Sequence, residues 1–370
     1  MKTFYLLDNP GRDKHFHLYL LKGLREAGFS PAVVYFQGDP KETLFKDFPV
    51  FSLGLQDKEY KRFRLKPILK LKELIRHQSP VLLHVQRHRP LVYSALALKF
   101  LRRKIPLLYT IRLSRLVRTW NRWLTIKFLA PQITRVIAVS RGAGEDFLKR
   151  TGFPKERLVV IPNGIDPEPF DLPLDKETAR KEFGLPKGFL FGMVARFRKA
   201  KDHVGLIKAF SQVKNLMPRA FLVLSGDGPL EGEIRSLVAR LNEDKITFTG
   251  RISPSKIPRL LKAFDVFVHP TFREGMPAAI LEAMAAGLPI IATDAEGITD
   301  IFETSKKFGY LLPRGNQEAL EKALYQMYHL PSQEREKMGQ EAKNRLLEEF
   351  THKKMVARNL ALYYEVLAQL

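Results

Sequence analysis

Short apolar runs alternate with longer amphipathic stretches along most of this chain. The early runs are Thr3 to Leu7, Ala32 to Phe36, Val81 to Val85, Leu107 to Thr110, Val136 to Val139 and Leu158 to Ile161. Each is shorter than an ordinary helix and rich in branched or aromatic residues, so each is expected to be a buried strand. Lys14 to Ala27, closed by Gly28, is the first expected helix. Strands alternating with helices predict a parallel sheet covered on both faces. A second series runs through Phe189 to Ala195, Phe221 to Ser225, Ile246 to Phe248, Val266 to Val268 and Leu288 to Ala292, and from Asn316 the tail reads as helical. Between the two series, Pro162 to Pro169 is dense in turn formers and marks a domain boundary. The predicted class is α/β, with doubly wound domains over residues 1–166 and 167–350 and a cleft between them where ligands commonly bind.

The most informative stretch is Pro270 to Asp294, PTFREGMPAAILEAMAAGLPIIATD. It reads as a loop after one strand, then a helix over Pro277 to Ala286, then the next strand. Pro277 suits a first turn and Gly287 a helix end. The loop therefore sits at a strand's carboxyl end and a helix's amino end, where free amides favour phosphate. Glu274 in the loop and Glu282 in the helix, with seven residues between them, could take the hydroxyls on either side of a diphosphate. The alternative is that Glu282 simply faces water. Its neighbours Ala279, Ile280, Ala283 and Met284 argue for partial burial and a need for partners. After the strand ending at Ala195, Arg196 and Lys201 suit the diphosphate itself, as a guanidinium fork and a point charge. A solvated basic loop is the competing reading.

Composition narrows the class. The chain has 370 residues, 45% of them hydrophobic, enough for two cored domains. It has no cysteine, which excludes disulfides and thiolate metal sites. It has no run of apolar residues long enough to suggest a membrane span, and its amino end reads as a strand, not a leader. The formal charge of +23 calls for an anionic partner: a nucleic acid, a membrane or a substrate.

The segment EGMPAAILEAMAAGLPIIATD resembles the donor-site signature of glycosyltransferase family 4, a retaining family with the GT-B fold. Gly275, Ala283, Gly287 and Pro289 are all in place. The resemblance implies two Rossmann-like domains facing across a cleft, with acceptor binding in the first and nucleotide-sugar binding in the second. It also implies that the helix over 351–370 returns to the first domain. By the same resemblance Arg196 and Lys201 hold the donor diphosphate, Glu274 the donor sugar and Glu282 the ribose. Gly275, Met276, Pro277, Ala278 and Ala279 form the backbone cradle. Arg251 and Ile252 match the segment that reads the nucleobase, and the Gly226-Asp227-Gly228 turn shapes the site. In the first domain Gly11, His88 and Ser140 are candidate acceptor or cleft residues. Many relatives carry Thr-x-His where this chain has Thr110-Ile111-Arg112. Arg112 cannot be a base but could stabilise negative charge, so it is included among the catalytic candidates.

The expected activity is metal-independent transfer from a nucleotide-diphosphate sugar, a UDP-sugar for preference, to a lipid-linked or lipopolysaccharide-type glycan. No Asp-x-Asp is present to hold a divalent metal, and no other cofactor is expected. The alternatives are a basic nucleic-acid-binding protein, which lacks a recognisable binding motif, and another GT-B enzyme such as a sugar-nucleotide epimerase or phosphorylase. The expected location is cytoplasmic, peripheral on the inner face of the membrane. Charge supports this: residues 99–150 carry thirteen Lys or Arg against Glu145 and Asp146. On a helical wheel over Arg112 to Ala130, Leu113, Leu116, Trp120, Trp123, Leu124 and Phe128 share one side. Arg115, Arg118 and Arg122 share the other, as on an interfacial helix. An ordinary helix packing that apolar side into the first domain is the alternative.

Overall fold

The computed structural model describes residues 1–370 except 62–63, 102, 113–116, 118, 303–306 and 370, and except the side chains at 12 and 61. The chain divides into two compact units. One comprises residues 1–164 with 352–370, the other 165–351.

In the first unit the described residues form a seven-stranded sheet, all parallel. The strands are β1 (Lys2–Leu7), β2 (Ser30–Tyr35), β3 (Val50–Ser52), β4 (Leu82–Gln86), β5 (Leu107–Ile111), β6 (Arg135–Ala138) and β7 (Leu158–Val160), in spatial order 3-2-1-4-5-6-7. The connecting helices are α1 (His15–Glu26), α2 (Asp57–Lys61), α3 (Leu65–Gln78), α4 (His88–Leu101), α5 (Trp120–Leu129) and α6 (Arg141–Thr151). Alternate residues of β1 enter different cores. Phe4 and Leu6 meet the residues of α3 to α6, whereas Tyr5 and Leu7 meet Leu20, Leu21 and Leu24 of α1. Burial on both faces explains why these strands are continuously apolar.

The second unit contains α7 (Lys176–Glu182), α8 (His203–Val213), α9 (Glu231–Arg240), α10 (Ile257–Lys262), α11 (Ala278–Ala285), α12 (Glu296–Phe302), α13 (Gln317–His329) and α14 (Ser332–Glu349). They cover a parallel sheet of β8 (Phe189–Val194), β9 (Ala220–Ser225), β10 (Ile246–Gly250), β11 (Val266–His269), β12 (Ile290–Thr293) and β13 (Gly309–Leu312), ordered 10-9-8-11-12-13 among the described residues. The last helix, α15 (His352–Leu367), belongs to the first unit. It packs Met355, Leu362 and Tyr363 into the core beside α1.

Two strands were not expected from the pattern, β3 and β13. Both are at sheet edges and only three or four residues long, too short for periodicity to register. A second difference concerns the stretch 112–130. Leu113, Arg115, Leu116 and Arg118 lie outside the described residues, and α5 begins only at Trp120. Within α5 the helix is apolar on a second side, which the wheel did not include and which supplies the fully buried residues. Ile126 and Leu129 are buried and Trp123 packs half-buried against the core, while Trp120, Leu124 and Phe128 are exposed. Among the described residues no helix is long and apolar enough to cross a membrane.

Candidate active site

The order of the second sheet reverses between β8 and β11, so the chain leaves these two neighbours in opposite directions. A crevice outside the carboxyl ends of the strands opens at such a point. The loops that leave β8 and β11 are joined there. The Thr271 hydroxyl and the Phe272 N–H both donate to the Ala200 carbonyl, at 2.7 and 2.9 Å, and the Asp202 N–H donates to the Pro270 carbonyl at 3.1 Å. Thr293 at the end of β12 clamps the other side: its hydroxyl donates to the Thr271 carbonyl and accepts from the Thr271 N–H.

This stitching brings Lys201 to Glu274. The two are ion-paired, and both side chains are largely buried. His269, the last residue of β11, lies beneath them with Nε2 3.2 Å from both Lys201 Nζ and Glu274 Oε1. Burial and the Lys201 charge hold the His269 imidazole well below its ordinary range, hence neutral. Burial also pulls the Lys201 ammonium down to about 8, while the adjacent carboxylate favours its charged form. Asp202 caps α8 by accepting from the Gly205 N–H at 3.0 Å, which fixes the chain immediately after Lys201.

Next to Glu274, Pro277 is the N-cap of α11. The first-turn amides of Ala278 and Ala279 have no acceptor inside the helix. Gly275 is covered closely by α12: a Cβ at Gly297 would fall 1.5 Å from the Gly275 carbonyl oxygen. Met276 is buried. Glu282 is half-buried one turn into α11, and burial pushes its carboxyl up to about 7. Its side chain has no hydrogen-bond partner among the described residues. It is thus an acceptor pair still lacking donors, in an otherwise apolar helix.

Arg196, Arg251 and Ile252 lie further out. Arg196 is exposed and loosely paired with Asp227 at 3.7 Å, and Arg251 approaches the same carboxylate at 4.0 Å. Ile252 follows the end of β10 and is half-buried. The Gly226-Asp227-Gly228 turn presses on the loop after β8. A Cβ at Gly226 or Gly228 would meet the carbonyl oxygens of Ala195 or Phe197 at 2.1 and 2.5 Å. The turn is therefore a buttress for Arg196 and its neighbours.

In the first unit the order reverses between β1 and β4. Asp8 and Arg87, at the ends of those strands, pair at 3.5 Å, and Arg87 has a left-handed φ of 85°. Arg112, just past β5, is surrounded by neutral groups. Its Nε and Nη2 donate to Gln86 Oε1 at 3.0 and 2.7 Å, and its Nη1 donates to Asn163 Oδ1 at 2.9 Å. Nη2 lies 3.0 Å from His17 Nε2, and Phe16 stacks beneath the guanidinium at 4.2 Å. His84 is core: it bonds Tyr363 of α15 at 2.9 Å and Thr110 at 2.6 Å. Ser140 is fully buried and accepts from the Ala143 N–H to cap α6, so it lines no open surface. His88 opens α4 half-buried, its imidazole pushed down to about 4 by burial and by Arg122 and Arg89. Gly11 is exposed in a short turn of 3-10 helix.

Sequence reading missed His269, and it missed Gln86, Asn163 and His17 around Arg112. His269-Pro270 at the head of the signature was the available signal. The partners of Arg112 are far from it in sequence and carry no motif.

Two Rossmann-like units in one chain, the second with a cationic and carboxylate cluster at its switch point, define a protein of the GT-B architecture. Residues 175–345 match the family "Glycosyl transferases group 1", and residues 16–169 match "Glycosyltransferase Family 4". The chain belongs to glycosyltransferase family 4. It is 34% identical over 188 residues to the Escherichia coli UDP-Gal:alpha-D-GlcNAc-diphosphoundecaprenol alpha-1,3-galactosyltransferase, covering 49% of this chain and 48% of that protein. The chain thus spans about half the length of the curated relatives it matches. Among solved structures, Anabaena Alr3699/HepE in complex with UDP superposes with a TM-score of 0.84 at 23% identity, covering 100% of both chains. The lipopolysaccharide outer core galactosyltransferase WaaB superposes with a TM-score of 0.77 at 15% identity, covering 99% of this chain and 100% of that one. At these identities the two structures show the fold.

Proposed function

We propose that this protein is a retaining glycosyltransferase that moves a sugar from a UDP-sugar to a lipid-linked or lipopolysaccharide-type glycan, working as a peripheral protein on the inner face of the cytoplasmic membrane. The observation that carries this reading is the Lys201–Glu274 ion pair just ahead of the first turn of α11, the helix that carries half-buried Glu282 one turn further on. The amides there and the Lys201 ammonium suit a diphosphate. Exposed Arg196 can swing in to add a fork of donors. Glu282 can accept from ribose hydroxyls and Glu274 from hydroxyls of the donor sugar. Donor binding then exchanges the Lys201–Glu274 pair for two new ones, ammonium to phosphate and carboxylate to sugar. The E. coli relative's UDP-galactose donor and diphosphoundecaprenol-linked acceptor support the choice of substrates.

In the transfer, the bond from the anomeric carbon to the diphosphate oxygen breaks. The acceptor oxygen bonds the same face, and its proton passes to the leaving phosphate. Lys201, Arg196 and the Ala278 and Ala279 amides stabilise charge that grows on the diphosphate, the kind of term that contributes most in such sites. With that charge supplied by the chain, transfer should persist in excess EDTA.

A thermal-shift screen of UDP-, GDP- and ADP-sugars tests the donor. A ligand at 100 times its dissociation constant adds about 2.7 kcal/mol of stability, so a UDP-sugar should raise the melting temperature by several degrees. No response to any nucleotide sugar would overturn the reading.

A further inference from the structure

The first unit carries a row of large apolar side chains that are exposed to solvent among the described residues. Trp120, Leu124 and Phe128 are spaced four apart on α5, so they stack along one line of the helix. They are 67%, 44% and 60% exposed, and Phe100 near the end of α4 is 56% exposed. The opposite side of α5, Ile126 and Leu129, already fills the core. The helix is therefore apolar on two sides, and among the described residues only one of them is buried in the core. Isolated exposed apolar residues are ordinary, but an aligned group of this size marks a docking surface.

Cations surround the row. Lys99 Nζ lies 4.4 Å over the Phe128 ring, which ties α4 to α5, and Lys127 Nζ lies 4.7 Å over Trp123. Trp120 stacks on Trp123 at 4.5 Å. Lys99 also lines a pocket of about 420 Å³, together with Arg103, Lys104, Pro131 and Thr134. Arg122 is exposed on α5 itself. Between Glu73 and Glu145 the chain has fourteen Lys or Arg and not one Asp or Glu. An apolar row ringed by one sign of charge is poorly suited to a second copy of itself, whose cations would face these. It is well suited to acyl chains beneath anionic headgroups, with tryptophan at the boundary.

We infer that the Trp120–Leu124–Phe128 row, with Phe100, inserts into an anionic lipid bilayer while Lys99, Arg103, Lys104 and Lys127 hold its headgroups. This gives the peripheral-membrane part of the proposed function named side chains. It rests on that part of the reading and not on the transfer chemistry, and its test contains no donor.

The full chain is sedimented with vesicles of phosphatidylcholine alone and with vesicles of equal phosphatidylcholine and phosphatidylglycerol. Binding is expected only to the second. It should weaken as the Debye length falls from about 10 Å at 0.1 M salt to about 3 Å at 1 M. Both tryptophans of the protein are on α5, so intrinsic fluorescence should shift to the blue on binding. The Trp120→Ser/Leu124→Ser/Phe128→Ser variant, and separately Lys99→Glu/Arg103→Glu/Lys127→Glu, should each lower partition by at least about tenfold. Melting temperatures should stay near the parent's, because these side chains are exposed. UDP binding by the same variants, read separately, keeps a failure here distinct from a failure of the donor site. Partition unchanged by either variant, or no blue shift, overturns the inference. So does a parent dimer that the serine variant dissociates, which would assign the row to a second copy.

Discussion

Lys201 and Glu274 are ion-paired across two loops that leave neighbouring strands of the second sheet, with neutral His269 below both. An ammonium proposed to meet a diphosphate and a carboxylate proposed to meet sugar hydroxyls thus hold each other. Neither is buried as a bare charge, which would be costly. Under the proposed function the pair also competes with the donor, since each partner would have to be released to bind it.

Glu274→Gln separates these effects. The amide keeps the shape and removes the charge that holds Lys201. UDP, which lacks the sugar, should bind the variant at least as tightly as the parent by isothermal titration calorimetry. Transfer should fall by about a hundredfold or more, as expected when a group acting on the reacting end is lost. Loss of UDP binding in step with transfer would show that Glu274 holds the loop rather than the sugar.

Glu282 offers a trade between stability and function. Its folded carboxyl is raised from 4.5 to about 7 by burial, so the native state retains a proton that the unfolded chain has released. Its contribution is therefore fully present below pH 4.5 and is lost as pH rises toward about 7. Glu282→Gln removes the buried charge. Denaturant unfolding at pH 8 should find the variant more stable, by about 1–3 kcal/mol, with the gain vanishing near pH 4. The same variant should bind UDP more weakly, because an amide cannot accept from two ribose hydroxyls as a carboxylate does. A variant neutral in stability at both pH values would contradict the burial of this carboxyl.

Arg112 makes the opposite case, a side chain whose observed contacts are all internal to the first unit. Arg112→Lys keeps the charge but loses the planar fork, which leaves Gln86 Oε1 and Asn163 Oδ1 short of donors. The cost of such unmet groups is about 1–3 kcal/mol, to be read as a lower denaturant midpoint. UDP affinity should not change, since every residue proposed for the donor site belongs to the second unit. A loss of turnover larger than the loss of stability explains would instead place Arg112 at the reacting centre.

Much of this molecule was legible in its residues. Apolar runs separated by helical stretches predicted the main strands because sheets buried on both faces demand uninterrupted hydrophobicity. The loop Phe272 to Met276 declared its place because Pro277 and Gly287 punctuate a helix. Arg196, Lys201, Glu274 and Glu282 stood out because their chemistry is local to those loops. Tertiary structure alone decided which of them meet. Lys201 reaches Glu274, whereas Arg196 turns outward to Asp227, because strand order and the Thr271–Ala200 stitching fix that geometry and neither is local. The same holds for α5. A helical wheel put Trp120 and Trp123 on one side, and their rings do stack, but Trp123 packs half-buried against the core while Trp120 stays exposed. Sequence sets the stripe of a helix; the neighbours it packs against decide which edge of that stripe faces water.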